Sequence, residues 1–241
     1  MVKGTKAETV IKILHKIPLK QRKKVKEVTL DMAGNMGLII KRSFPEATLV
    51  IDRFHVQKLA LDALQEIRIK HRWKALDNEN DAIEYARSRS SKYAPELLSN
   101  GDTLKQLLAR SRYLLYKSSS KWTNNQSKRA EILFMRYPDL EKAYKLCQNL
   151  SWIFNSTKDK TSALIRLAKW DEKVRQAAFK SFNTIARTMS IHYKNILNYF
   201  DNRSTNASAE SFNAKIKAFR AQFRGVRNVD FFLFRLTTIF A

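Results

Sequence analysis

Four residues in this chain have types and positions that could do chemistry: Asp31, Asp52, His55 and Glu210. Asp31 ends a short strand predicted over Lys26-Glu27-Val28-Thr29-Leu30, and Asp52 ends a continuous apolar and β-branched run, Ala47-Thr48-Leu49-Val50-Ile51. Parallel neighbouring strands lie about 4.8 Å apart, so two such carboxylates could face one crevice beyond the strand ends, where ligands collect. Each aspartate also reads as a helix N-cap that satisfies the amides of the following turn. His55, three residues after Asp52, falls in the first turn of the next helix, where an Asp–His hydrogen bond could join strand to helix. His15, His71 and His192 have no companions that suggest a metal site.

Glu210 opens a helix expected from Ala207 to Phe223 and stopped by Gly225. At about 100° per residue, Asn213, Lys217 and Arg220 fall within about 80° of it. Phe212, Ile216, Phe219 and Phe223 form the opposite, apolar side. A lone carboxylate among cations is either a surface ion pair or a metal ligand flanked by phosphate-binding groups, and spacing does not separate the two.

The elements that must position these residues follow from periodicity. Ala7–Ile17 predicts a helix closed by Pro18. Met32–Gly37 predicts a turn, and Leu38–Ser43 a short helix before Phe44-Pro45. Two short strands linked through a helix make one parallel strand–helix–strand unit. From Phe54 to Phe200 the pattern is helical, with connections expected at Asp77–Asp81, Ser99–Asp102, Ser118–Ser127 and Asn155–Lys160. One stripe includes Leu140, Ala143, Tyr144, Cys147, Leu150 and Phe154, and another Val174, Ala177, Ala178 and Ile185. Asp201–Asn206 reads as a polar linker. Val229–Phe240 reads as a closing apolar helix, with a strand as the other option.

Composition narrows the partner. The chain has 241 residues, 46 Lys+Arg against 22 Asp+Glu, and a net charge of +24. Such an excess draws polyanions, and the interleaving in His71-Arg72-Trp73-Lys74, Arg112-Tyr113 and Lys121-Trp122 suits phosphates and stacked bases. DNA or RNA is the favoured class over a membrane surface, because the charge is spread along the chain. With 5 Gly and 4 Pro a turn-dense β-barrel is disfavoured. A lone Cys147 excludes an internal disulfide framework and any zinc site built from several thiolates. No apolar leader opens the chain and no run is long enough to span a bilayer, so a cytoplasmic protein is expected.

The blocks Val28-Thr29-Leu30-Asp31-Met32, Phe44-Pro45-Glu46-Ala47, Ile51-Asp52-Arg53-Phe54-His55-Val56 and Asn206-Ala207-Ser208-Ala209-Glu210-Ser211-Phe212-Asn213-Ala214-Lys215-Ile216-Lys217 resemble, in order, the DDE transposases of bacterial insertion sequences, in the ISL-type lineage. The resemblance implies an α/β, mostly helical fold: an incomplete ribonuclease-H-like core with two late parallel strands and a large all-helical insertion. It implies three segments: residues 1–56 as a partial core, 57–200 as the insertion, and 201–241 as helices returning the last carboxylate. Asp31 then resembles the second catalytic Asp and Glu210 the final Glu, both metal ligands. Asp52 and His55 resemble the family's Cys/Asp-x-x-His motif. Lys215, Lys217, Arg220, Arg224 and Arg227 would guide DNA phosphates, an assignment from helix geometry and charge.

The family's first Asp lies well upstream of the second, and no Asp precedes Asp31 here. The implied two-metal Mg²⁺ or Mn²⁺ site is therefore expected only in a complete domain, and this chain is expected to be truncated and inactive alone. An unpaired strand edge is expected near Val28–Leu30. The implied partners are transposon-end and target DNA, with a homo-oligomer in the active form. The other reading is a non-catalytic basic helical protein, derived from a transposase, that binds nucleic acid.

Overall fold

The computed structural model describes residues 6–32, 34–222 and 228–240. Contacts divide the chain into two compact units, Met1–His55 with Lys194–Ala241, and Val56–Tyr193. The fold is mostly helical and carries one two-stranded parallel sheet among the described residues.

The first unit opens with α1 (Ala7–Leu14) and α2 (Leu19–Arg22). Strand β1 (Glu27–Leu30), helix α3 (Gly34–Ser43) and strand β2 (Thr48–Ile51) follow. The strands pair in parallel from Glu27↔Thr48 to Leu30↔Ile51. The ladder runs one residue further, with Asp52 N donating to Leu30 O at 3.0 Å. Val28 and Leu30 share one face by the two-residue strand period, and there Leu30 joins Ala7, Ile11, Ile39 and Ile40 in a buried cluster. That cluster fastens α1 and α3 to the sheet, and truncating Ile39 to Ala would cost about 2–5 kcal/mol. The outer edge of β2 is covered in part, since Asn198 Nδ2 donates to Leu49 O at 2.8 Å. Among the described residues β1 has a strand partner on one side only.

Helix α4 (Arg53–Ser88) begins in this unit and continues into the second. It passes unbroken through Asp77–Asp81, where a connection was expected. No Gly or Pro lies between 53 and 88, and polar residues alone do not stop a helix. The chain leaves it at Ser90, whose φ is 54°, and the connection extends to Thr103.

Helices α5 (Leu104–Arg110), α6 (Asn124–Arg136), α7 (Pro138–Ser156), α8 (Lys160–Ala177) and α9 (Lys180–Leu197) complete the helical unit, with 3₁₀ turns at Leu114–Tyr116 and Ser119–Lys121. Residues 124–127, expected in a connection, open α6. A capping box starts it there: Gln126 N donates to Thr123 Oγ1 at 3.3 Å and Thr123 N to Gln126 Oε1 at 3.2 Å. The 174–185 stripe is split, because Ala178 adopts φ 56° and ends α8. Leu107, Leu115, Leu133, Leu140, Leu150, Phe154 and Trp170 form the buried interior. Trp170 Nε1 donates to Leu146 O at 2.9 Å, and Tyr144 Oη to Lys117 O at 2.9 Å. Burial pushes the Tyr144 hydroxyl up to about 12. The Cys147 thiol, buried against Ala60 O at 3.1 Å, is likewise raised by burial and is a packing group, not a nucleophile.

The chain returns through α10 (Tyr199–Asn202), α11 (Ala207–Gln222) and α12 (Val229–Phe240). The expected polar linker is thus partly helical, and α10 ends where Arg203 turns left-handed at φ 55°. Helix α12 takes the helical option. Phe219 is buried and meets Phe232 with ring centroids 5.5 Å apart, joining α11 to α12. Ile216 is half-buried, while Phe212 on the same expected stripe stays 47% exposed. Phe223 and Gly225 lie outside the described residues, as does Ala33.

Candidate metal centre

Asp52 is fully buried at the end of β2. Its Oδ1 accepts from Phe54 N at 2.9 Å, the N-cap bond that starts α4. Its Oδ2 accepts from Asn206 N at 2.8 Å, on the residue just before α11. One carboxylate therefore fastens the first turns of two helices whose partial positive ends favour an anion. Asn206 O in turn accepts from Glu210 N at 2.9 Å.

This clamp brings together residues far apart in sequence. Ligand atoms of Asp52, His55 and Glu210 all lie within 4.8 Å of one another. Asp52 is buried, His55 half-buried and Glu210 exposed, so the group opens to solvent through Glu210. Opposite ligands on one cation at about 2.1 Å each stand about 4.2 Å apart, so the separation needs only a small contraction. An exposed Glu has the rotamer freedom to supply it. Two carboxylates and one imidazole suit Mn²⁺ more readily than Mg²⁺, which prefers oxygen alone. Both Asp52 oxygens keep a second lone pair beyond the amide bonds.

Asp31 follows Leu30 directly and is half-buried at the neighbouring strand end, level with Asp52. It is not a member of the three-residue group. The structure thus gathers Glu210 with the Asp52–His55 pair and leaves Asp31 on the adjacent strand. Lys215, Lys217 and Arg220 are exposed along α11, and Arg224 and Arg227 lie outside the described residues. The contribution of Asn206 escaped the sequence reading. Its type marks a helix start, but nothing local ties its amide to an aspartate 154 residues away.

A transposase family model matches residues 1–236 of this chain. The chain belongs to the ISL3-type DDE transposase family. It is 22% identical over 242 residues to the transposase for insertion sequence element IS1001 of Bordetella parapertussis, a match covering 98% of this chain and 53% of that protein. This transposase-family chain thus spans about half the length of that curated relative. No solved structure matches it. Among the described residues no helix is long and apolar enough to cross a membrane.

Proposed function

We propose that this chain is the later part of a DDE transposase catalytic region, which cuts DNA strands at insertion-sequence ends and joins them to target DNA. The observation that carries the reading is the convergence of Glu210 on the Asp52–His55 pair at the carboxyl end of a parallel sheet, in a chain of net charge +24. The sheet and its flanking helices are read as part of a ribonuclease-H-like core, with residues 1–56 and 201–241 around an insertion of residues 57–200. The protein is read as a DNA-associated cytoplasmic one that works as a homo-oligomer.

Asp31 and Glu210 are the proposed ligands of a divalent cation. Asp52, whose oxygens are engaged by two backbone amides, positions α11 so that Glu210 reaches the strand ends. His55 lies beside both carboxylates and supplies a nitrogen donor or a proton-holding group. Lys215, Lys217 and Arg220, with Arg224 and Arg227, draw the phosphate backbone toward this anionic group. A bound divalent cation supplies charge stabilisation to the attacking and leaving oxygens of a strand-transfer step.

Residues 1–30 hold no Asp to match the family's first carboxylate, and on this reading the chain alone does not cleave DNA. The same observation favours a second reading, a non-catalytic nucleic-acid-binding protein derived from a transposase. Mn²⁺- or Mg²⁺-dependent cleavage of transposon-end DNA, measured with this chain and with an N-terminally extended form, separates them. Cleavage by the extended form that Asp31→Ala and Glu210→Ala abolish supports the enzyme reading. Cleavage that survives both substitutions overturns the site assignment.

A further inference from the structure

A cavity of about 600 Å³ in the helical unit is lined by Gln65, Arg68, Arg72, Trp73, Arg112 and Tyr116, with Asp62, Glu66 and Ile69 also on its wall. Residues 65, 68, 69, 72 and 73 recur at helical steps on one side of α4, and Arg112 and Tyr116 face them from the segment after α5. Arg68 is only 5% exposed. Its Nε donates to Gln65 Oε1 at 2.6 Å and its Nη1 to Leu108 O at 2.8 Å. Gln65 Nε2 donates in turn to Arg112 O at 3.3 Å, so neutral groups fix the guanidinium in place.

No carboxylate among the described residues lies within ion-pair range of Arg68, Arg72 or Arg112. Of the two acids on the wall, Asp62 is paired with Lys58 at 2.6 Å. Glu66 is the other, and three arginines against two acids leave the wall with a net positive charge. Burial first, then the charges of Arg72 and Arg112, hold the Arg68 guanidinium below its ordinary value. A buried cation without a counter-ion is costly to a fold, and an anion from outside would offset that cost. Trp73, 62% exposed at the rim, offers a flat apolar face beside that anion.

We propose that this cavity is a nucleic-acid contact separate from the acidic group. It seats one DNA backbone phosphate on Arg68, Arg72 and Arg112, with the adjoining sugar or base laid against Trp73. Arginine suits the role because its planar fork donates two parallel bonds to phosphate oxygens. The inference takes DNA as partner from the reading above but needs neither metal nor catalysis.

The test is binding of the whole chain to a fluorescent DNA oligonucleotide in EDTA, by anisotropy over a series of salt concentrations. Arg72→Gln with Arg112→Gln is expected to weaken binding about tenfold or more. It should also flatten the log–log salt slope by up to about 0.7 to 0.9, the value for one lost phosphate contact. Arg72→Lys with Arg112→Lys should keep the slope and recover part of the affinity, a rescue that a misfolded protein would not show. Trp73→Ala should lower affinity at unchanged slope. The exposed pair Arg87→Gln with Lys92→Gln removes equal charge elsewhere on the same unit and should change binding less than twofold. A cavity double substitution that behaves like this control overturns the inference. Binding is read in EDTA, without metal or cleavage, so a failed catalytic assignment leaves this result intact. A parent chain that binds no DNA at all overturns both.

Discussion

Asp52 and Asp102 are both buried, at 0% and 1% exposed, and each unit has resolved its aspartate differently. In the helical unit Asp102 is neutralised by cations: Arg129 Nε donates to Oδ2 at 3.0 Å, and Arg110 Nη1 donates to Oδ1. Asn100 Nδ2 adds a bond at 2.9 Å. Burial by itself would raise this carboxyl, but the Arg129 and Arg110 hydrogen bonds outweigh it and hold it below the usual aspartate range. Asp52 receives only neutral amides, and its near neighbours are an imidazole and a second carboxylate. The first arrangement is closed electrostatically and staples the irregular 89–103 segment to α5 and α6. The second is open, with negative charge gathered in an otherwise basic protein and no Lys or Arg in ion-pair range among the described residues. The Arg68 cavity repeats the contrast with the sign reversed. On the two readings proposed above, uncompensated charge, not burial alone, marks the places that take a partner.

The sharpest way to break that contrast is to remove one acid from each group and read different quantities. In an N-terminally extended form that cleaves DNA, Glu210→Gln should lower the cleavage rate about 10³-fold, on the scale of losing a transition-state-stabilising group. Asp52→Asn should cost only about 10- to 100-fold, as expected of a group that orients a ligand. Neither change should be rescued by salt. Equal losses from both substitutions would mean that Asp52 touches the reacting groups and is more than a clamp.

Asp102→Ala should act on stability instead, by about 3 kcal/mol in urea unfolding of the whole chain, because it leaves the partly buried Arg129 unpaired. Arg110 is 55% exposed and contributes little to that figure. The pH dependence has a fixed sign. A carboxyl depressed in the fold stabilises fully above its unfolded value, and that contribution disappears as pH falls through the depressed one. The parent should therefore lose stability on acidification below the ordinary aspartate range, and Asp102→Asn should flatten that limb. An unaltered acid limb in the variant would show that other carboxylates dominate it. Asp52→Ala should cost less, about 2 kcal/mol, through loss of a cap and of the Asn206 bond. Hydrogen exchange should then speed up at the first turns of α4 and α11.

The open group was more legible in sequence than the closed one. Asp31 and Asp52 each ended a segment that reads as a short strand, and the order of strand, helix and strand follows from local pattern alone. Glu210 stood out as an acid among cations on one side of a helix. The partnership of Asp52 with Asn206 was not legible, because it spans 154 residues and its acceptor sees only a backbone amide. Asp102 was read as part of a connection, since its value lies in arginines 8 and 27 residues downstream. Helix ends failed where tertiary or capping geometry overrode composition. Polar Asp77–Asp81 stayed helical inside α4, and Ala178 broke an apolar stripe that gave no sign of a stop.

Ala178 offers the smallest test, confined to the helical unit. Its φ of 56° lies in the left-handed region, where a Cβ crowds the carbonyl and costs about 1 kcal/mol. Its amide donates to Val174 O at 3.2 Å, the bond that closes α8, and its side chain is exposed. Ala178→Gly keeps the bond, removes the crowding and loses no packing, while the unfolded chain gains some freedom in partial offset. A net gain of about 0.5 kcal/mol is expected in urea unfolding. Mn²⁺ binding, read as the metal-dependent shift in melting temperature, should not move, because the acidic group belongs to the other unit. A stabilised variant whose metal response also changed would show that the two units share strain. The contrast between a closed Asp102 and an open Asp52 group would then no longer describe independent parts.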